Sequence, residues 1–273
     1  MQHFPTSPKE MAASLWRNRS LIMQMGKREV IGRYRGSVMG LAWSFFNPVL
    51  MLAVYTFVFS VVFKARWGVG NEESQASFAI ILFVGMIVHG VFAECVNRAP
   101  GLILSNVNYV KKVVFPLEIL PWVAMGSALF HAVISLAVLL VAQLIVNVSL
   151  PWTVVLFPLV ILPLLIATMG FAWILSATGV FVRDIAQTTG IITTMLLFVS
   201  PVFYPVSALP KAYQGWLLLN PLTFVIEEAR NVLIWGRMLD WTGWALSCIV
   251  GIAIAWVGFW WFQKTRNGFA DVL

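Results

Sequence analysis

Apolar positions in this chain neither recur at every third or fourth residue nor alternate. They run on in long blocks separated by short polar joints, at 38–63, 78–99, 119–146, 152–182, 185–204 and 241–263. An apolar run of about 20 residues is what a helix needs to cross a hydrocarbon core about 30 Å thick. Lipid admits such helices because each pairs its own backbone polar groups. The first block is free of charge from Val38 to Phe63, the second runs past Glu94, and Arg183-Asp184 is the only polar break between the fourth and fifth. Alternating strands of about ten residues, the mark of a membrane β-barrel, are absent. The pattern predicts an all-α membrane protein with six transmembrane helices. The first block is too long and its polar lead too extended for a cleaved signal, so it is read as a retained span.

Composition agrees with the pattern. Apolar residues make up 60% of the 273 positions and charged ones 11%, against roughly 25% charged in a soluble domain. Too few charges remain to clothe a soluble surface. Cys95 and Cys248 lie far apart in apolar runs and read as small packing residues, not as a disulfide or a metal site. With six spans, thirteen of the 18 lysines and arginines fall on the side of the two termini. The positive-inside rule then puts residues 1–37 and 264–273 in the cytoplasm. The other side holds Lys64, Arg66, Lys211, Arg230 and Arg237 beside Glu72, Glu73, Glu227, Glu228 and Asp240. The net charge of +7 thus reports topology and anionic lipid, not nucleic acid.

Three segments outside the spans carry information. From Lys9 to Arg35 the chain is basic and partly amphipathic. At about 100° per residue, Met11, Leu15, Trp16, Ile22, Met23, Met25 and Val30 share one half of a single wheel, Arg17, Lys27 and Arg28 fall opposite, and Arg19 and Glu29 interrupt the pattern. A topological anchor in the interface and a docking surface or collar fit equally well. The loop 97–121 has a breaker at Pro100-Gly101, a short segment from Leu104 to Lys112, and Pro116 before the third span. A short helix there could pass motion from a soluble partner to the bundle, although composition alone favours an ordinary loop. From Pro201 to Asp240, prolines and Asn220-Pro221 interrupt apolar pieces too short to cross. They suit re-entrant or interfacial helices, forming either an external gate or a packed cap.

Ionisable groups inside apolar runs, His89, Glu94, Glu118 and His131, are functional suspects by position. Water or Lys111 and Lys112 could satisfy the two glutamates, and the histidines could bond between helices, so the structural role outweighs the transport one. Aromatic rings crowd the first and fifth blocks. Most suit an interface belt or packing, yet such faces also suit the apolar C–H surfaces of sugar rings. No phosphate-binding loop, H-E-x-x-H or G-x-S-x-G motif occurs, so any nucleotide must bind elsewhere. A membrane-embedded glycan or polyprenyl-phosphate transferase would want carboxylates at the cytoplasmic surface, and the tight acidic pairs fall on the other side.

The run "REVIGRYRGSVMGLAWSFFNPVLMLAVYTFVFSVVF" (28–63) resembles the first span and basic approach of permeases in bacterial polysaccharide exporters of the ABC type-2 class. So do "NYVKKVVFPLEILP" (108–121), "FVRDI" (181–185), "SPVFYPVSALP" (200–210) and "NPLTFVIEEAR" (220–230), in the same order across almost the whole chain. The wording is nearer to O-antigen and capsule permeases than to teichoic-acid ones. The resemblance implies an inner-membrane homodimer of six-span subunits and two copies of a separate nucleotide-binding subunit that carries ATP and Mg. The cargo it implies is a polyprenyl-pyrophosphate-linked polysaccharide; an exporter of small amphipathic molecules is the rival within the class. It further implies a coupling loop at 97–116 with Asn106, Asn108, Tyr109, Lys111 and Lys112, and a re-entrant periplasmic mouth at 205–240 with Pro205, Pro210, Asn220, Pro221, Glu227 and Arg230. Trp43, Phe46, Tyr55, Phe59, Phe198, Phe203 and Tyr204 would line the path, and Arg28, Arg33 and Arg35 would attract the pyrophosphate. No catalytic residue, metal or cofactor is expected in the chain itself.

Overall fold

A computed structural model describes residues 5–63, 75–111, 115–147, 149–217 and 220–273. Lys64, Arg66, Glu72, Glu73 and Lys112 lie outside the described residues. Every regular element among those described is helical. Among the described residues five segments are long and apolar enough to cross a membrane: Ala42–Phe59, Phe78–Gly101, Leu117–Val146, Trp152–Phe181 and Trp241–Val272.

The N-terminal segment departs from the single amphipathic helix expected. It is broken at Asn18 into α1 (Pro8–Arg17) and α2 (Arg19–Tyr34). α1 starts because Ser7 accepts the Glu10 amide and Pro8 fills the first turn, where no N–H partner is needed. Breaking the wheel strands part of the apolar half expected from it, and Trp16 and Met23 are exposed. Gly36 and Gly40, both at positive φ, then turn the chain into α3 (Ala42–Tyr55), which continues as a π-helix over Thr56–Val62.

Next come α4 (Gln75–Arg98), the short α5 (Val107–Lys111), α6 (Leu120–Asn147), α7 (Phe157–Phe181) and α8 (Ile185–Val199). The fifth expected span is shorter than predicted. α8 ends at Val199, and its 15 residues rise about 22 Å, short of a 30 Å core. The cause is local: Ser200 precedes Pro201, and the residue before a proline is pushed out of the helical region, here to ψ 153. Beyond it lie α9 (Lys211–Leu217) and α10 (Pro221–Leu233). α10 is capped by Asn220, whose side chain accepts the Leu222 amide. Finally α11 (Trp241–Thr265), capped by Asp240, leads to the short α12 (Phe269–Val272).

α4 is the central pillar, packed on α3, the π turn, α6, α7, α8 and α10. Of its apolar window 78% is buried, against 11% for Ala42–Phe59. The closest helix pair is α7 with α11, where small residues let the backbones meet. A Cβ on Gly258 would lie 2.2 Å from the Gly170 carbonyl oxygen, and one on Gly251 2.8 Å from that of Pro163. Both ends of the described chain sit at one end of the bundle. There Arg266 pairs with Glu118 at 2.7 Å, Ser14 donates to the same carboxylate at 3.0 Å, and Phe269 is buried against Phe181 and Phe262.

Candidate functional site

At the bundle end away from the termini, rings from three elements meet. Thr56 returns its hydroxyl to the Leu52 carbonyl at 2.7 Å where the helix widens into the π turn. The wider winding advances each residue by less than the α-helical angle, so Phe59 points elsewhere than an unbroken α-helix would aim it. Its ring stacks with Phe203 (centroids 6.0 Å apart, 30°) and lies against Phe63 and the buried Phe78. Phe203 in turn stacks with Phe198 at 5.5 Å and 24°. The string Phe63–Phe59–Phe203–Phe198 has exposed ends, Phe63 at 67% and Phe198 at 62%.

The turn that presents Phe203 is held from below. Arg230, with no exposed surface, donates from Nη2 to the Val202 carbonyl at 2.9 Å, from Nε to that of Ile81 at 3.2 Å, and from Nη1 to Glu227 at 3.0 Å. It thereby ties α10 to the start of α4 and to the chain just after α8. Gly85 makes room, since a Cβ there would stand 3.0 Å from Nη2 of Arg230. Asn220 donates to the Ser200 hydroxyl at 2.8 Å, and Tyr204 donates to the Phe198 and Val199 carbonyls that end α8. Pro205 starts a 3-10 turn at Val206–Ala208, Pro210 precedes α9, and Pro221 opens α10.

Of the seven aromatics predicted to line a path, then, Phe59, Phe198 and Phe203 come together and Tyr204 spends its hydroxyl on the adjoining helix end. Tyr55 instead lines a cleft of about 230 Å³ between α3, α4 and α6, shared with Asn47, Glu94 and His131. Trp43 and Phe46 are exposed near the start of α3, about 20 Å or more along the helix from Phe59. Phe63 and Phe78 join the ring string without having been singled out. Phe63 belongs to the rings that crowd the first block but is not assigned to the path, and Phe78 stands out only by its place at the start of the second block.

At the terminus-bearing end the polar groups form a bracket around α2. Glu94 accepts from Arg33 at 2.7 Å and pairs with His131 at 2.9 Å; Tyr34 reaches the other ring nitrogen of His131 at 3.0 Å; Glu29 pairs with Arg98. Arg28 donates to the Tyr109 hydroxyl at 3.0 Å, and Tyr109 stacks on Phe115 at 4.2 Å. Among the described residues the two intramembrane glutamates take their partners from Arg33, Arg98, His131, Ser14 and Arg266 rather than from Lys111. His131 bonds between helices as expected, and His89 does so through the Thr193 carbonyl at 3.0 Å. Arg28 and Arg98 face a cavity of about 550 Å³ with Asn97, Ser105 and Asn106. Asn108 and Lys111 are exposed on α5, and Arg35 is exposed at the end of α2.

An all-helical bundle with several apolar helices of membrane-crossing length, with polar groups spent on joining helices, is a multi-span membrane protein of transporter build. The chain belongs to the ABC-2 type transporter family, whose model matches residues 20–234. The O-antigen export system permease protein RfbA of Myxococcus xanthus is 29% identical over 263 residues, covering 96% of this chain and 98% of the relative. A protein of the same name from Klebsiella pneumoniae is 24% identical over 255 residues, 93% and 95% of the two chains. The polysialic acid transport protein KpsM of Escherichia coli is 26% identical over 229 residues, 78% and 81% of the two.

Proposed function

We propose that the chain is the membrane-spanning half of an ATP-driven exporter that moves a lipid-linked polysaccharide, of O-antigen or capsule type, out of the cell. The observation that carries this reading is near full-length similarity to permeases named for O-antigen export, in a chain whose first span is left largely uncovered and ends in stacked rings. Two copies face each other across α3 and α8, with α8 as a short fifth span of six and α9 and α10 re-entering from the periplasmic side. Both termini are cytoplasmic and the membrane is the inner one. ATP and Mg bind two copies of a separate subunit, which docks on the 97–116 loop through Asn106, Asn108, Tyr109, Lys111 and Lys112.

The mechanism follows from weak contacts repeated. Arg28, Arg33 and Arg35 draw the pyrophosphate to the cytoplasmic surface electrostatically. Closure of the ATPase pair presses on α5, the two copies part, and the glycan advances. Sugar C–H faces glide over Phe59, Phe198 and Phe203, with Tyr55, Tyr204, Trp43 and Phe46 further along the path. A conducting passage needs attraction strong enough to admit and weak enough to release. At the mouth, Pro205, Pro210, Asn220, Pro221, Glu227 and Arg230 hold the gate in shape.

The test is surface glycan in cells carrying Phe198→Ala or Tyr55→Ala in place of the native chain. Both variants should still copurify with the ATPase subunit while surface polysaccharide falls. Undiminished surface glycan in both defeats the assignment of these rings to the path.

A further inference from the structure

Between α2 and α6 lies a cleft of about 560 Å³ on the terminus-bearing end of the bundle, within the roughly 300–1,000 Å³ range of small-molecule sites. Its walls are Ile22 and Val30 of α2 and Phe130 of α6, and its floor is set by two glycines, Gly26 and Gly126. A Cβ on either glycine would meet nothing within 4 Å. The cleft is thus open at the two positions where a side chain would close it. Left to water, such a surface carries the full cost of exposed hydrocarbon.

Its charge is one-sided. Among the described residues Arg19 and Lys27 line it and no carboxylate does. Among the described residues neither cation forms an ion pair, while Glu29 and Arg33 on the same helix do; Arg19 donates to the Trp16 carbonyl at 3.0 Å. Arg19 lies 4.5 Å over the Trp16 ring, so its guanidinium is steadied at the rim. Trp16 near the end of α1, and Met23 and Ile31 along α2, are exposed. That is the surface of a helix set in the headgroup layer, stems in carbon and cations at phosphate depth.

We infer that this cleft is a binding site for an anionic phospholipid, one acyl chain lying over Gly26 and Gly126 and the phosphate held by Arg19 and Lys27. The lipid acts as a wedge: it fills the space between α2 and α6 and joins the interface helix to the bundle. This stands on the membrane setting of the family and not on what is exported.

The full chain, reconstituted in vesicles, is exposed to phosphatidylglycerol carrying a diazirine on its acyl chain, or to phosphatidylcholine with the same tail, then illuminated and mapped by peptide. Adducts should concentrate on 22–31 and 126–130 with phosphatidylglycerol, favoured by about fivefold for each basic residue at the rim. Arg19→Gln with Lys27→Gln should equalise the two headgroups, and Gly26→Leu or Gly126→Leu should remove the adducts. Labelling at the exposed Ile249 of α11 should persist in every variant, which shows the bundle intact in the bilayer. Equal labelling by both headgroups, unmoved by filling the cleft, overturns the site and leaves ordinary surrounding lipid. Displacement by polyprenyl phosphate but not by unlabelled phosphatidylglycerol overturns the choice of lipid.

Discussion

Arg230 shows how much one side chain can hold at the end of a membrane bundle. Its guanidinium is fully buried and bonds two carbonyls from different parts of the chain as well as Glu227. Replacing it with leucine strands the Val202 carbonyl, since that of Ile81 lies within the α4 ladder, and a buried acceptor without a partner costs roughly 1–3 kcal/mol. Arg230→Leu should therefore lower the thermal unfolding midpoint in detergent well beyond Glu227→Gln, because a glutamine amide oxygen can still accept from Nη1 and both carbonyl bonds stay in place. Arg230→Lys should fall nearer to leucine than to arginine, since a point ammonium cannot reproduce the fork. Equal midpoints for the wild type and Arg230→Lys would show that the fork geometry is not what matters. The two carbonyl bonds were not legible in the sequence. Arg230 could be placed on the outer side by counting spans, but its partners lie 149 and 28 residues away. The same holds for Glu118, whose arginine is 148 residues distant. An ionisable group in an apolar run announces that a partner exists, not which one.

At the scale of elements, length and apolarity were legible and winding was not. Blocks that are hydrophobic all round fix where a helix runs but carry no phase, so neither the π turn at Thr56–Val62 nor the early end of α8 could be read from periodicity. Helix contact was likewise hidden in the small residues. Gly170, Gly251 and Gly258 bring α7 and α11 together, and a methyl there must push two backbones apart. Gly258→Ala should destabilise the folded chain strongly in an SDS-unfolding titration. Gly190→Ala, with nothing within 4 Å of its Cβ, should be neutral or gain up to about 1 kcal/mol from helix propensity. α2 poses a second question of this kind. It is bracketed to α4 and α6 through Arg33, Glu94, His131 and Tyr34. Glu94→Gln should loosen that bracket, seen as faster amide exchange across residues 28–34 with the exchange of α7 unchanged.

For the whole molecule, the informative surface is the one that α3 and α8 leave uncovered. Val54 is 51% and Met195 60% exposed, while α3 packs on α4 and α6 and α8 packs on α4 and α7. On the proposed homodimer this face meets its copy. In a Cys248→Ser background, Val54→Cys or Met195→Cys should cross-link copies in native membranes, whereas a cysteine at the exposed Val155 of the fourth span should not. Cross-linking at Val155 alone would place the interface elsewhere. Coupling belongs to this scale too. Tyr109 connects α5 to Arg28 on α2 and to Phe115. Tyr109→Ala should leave the partner's ATP hydrolysis running while surface glycan drops, an uncoupled cycle measurable in reconstituted vesicles.

The widened winding at Thr56–Val62 has a mechanical consequence. A π turn is a register fault: it holds more residues than an α ladder of the same rise would pair, and such a surplus can travel along a helix as a dislocation travels through a crystal. Moving it by one residue swings the rings beyond it around the axis while the stretch below keeps its seat on α4 and α6. The first span can thus re-aim Phe59 without sliding through the bilayer.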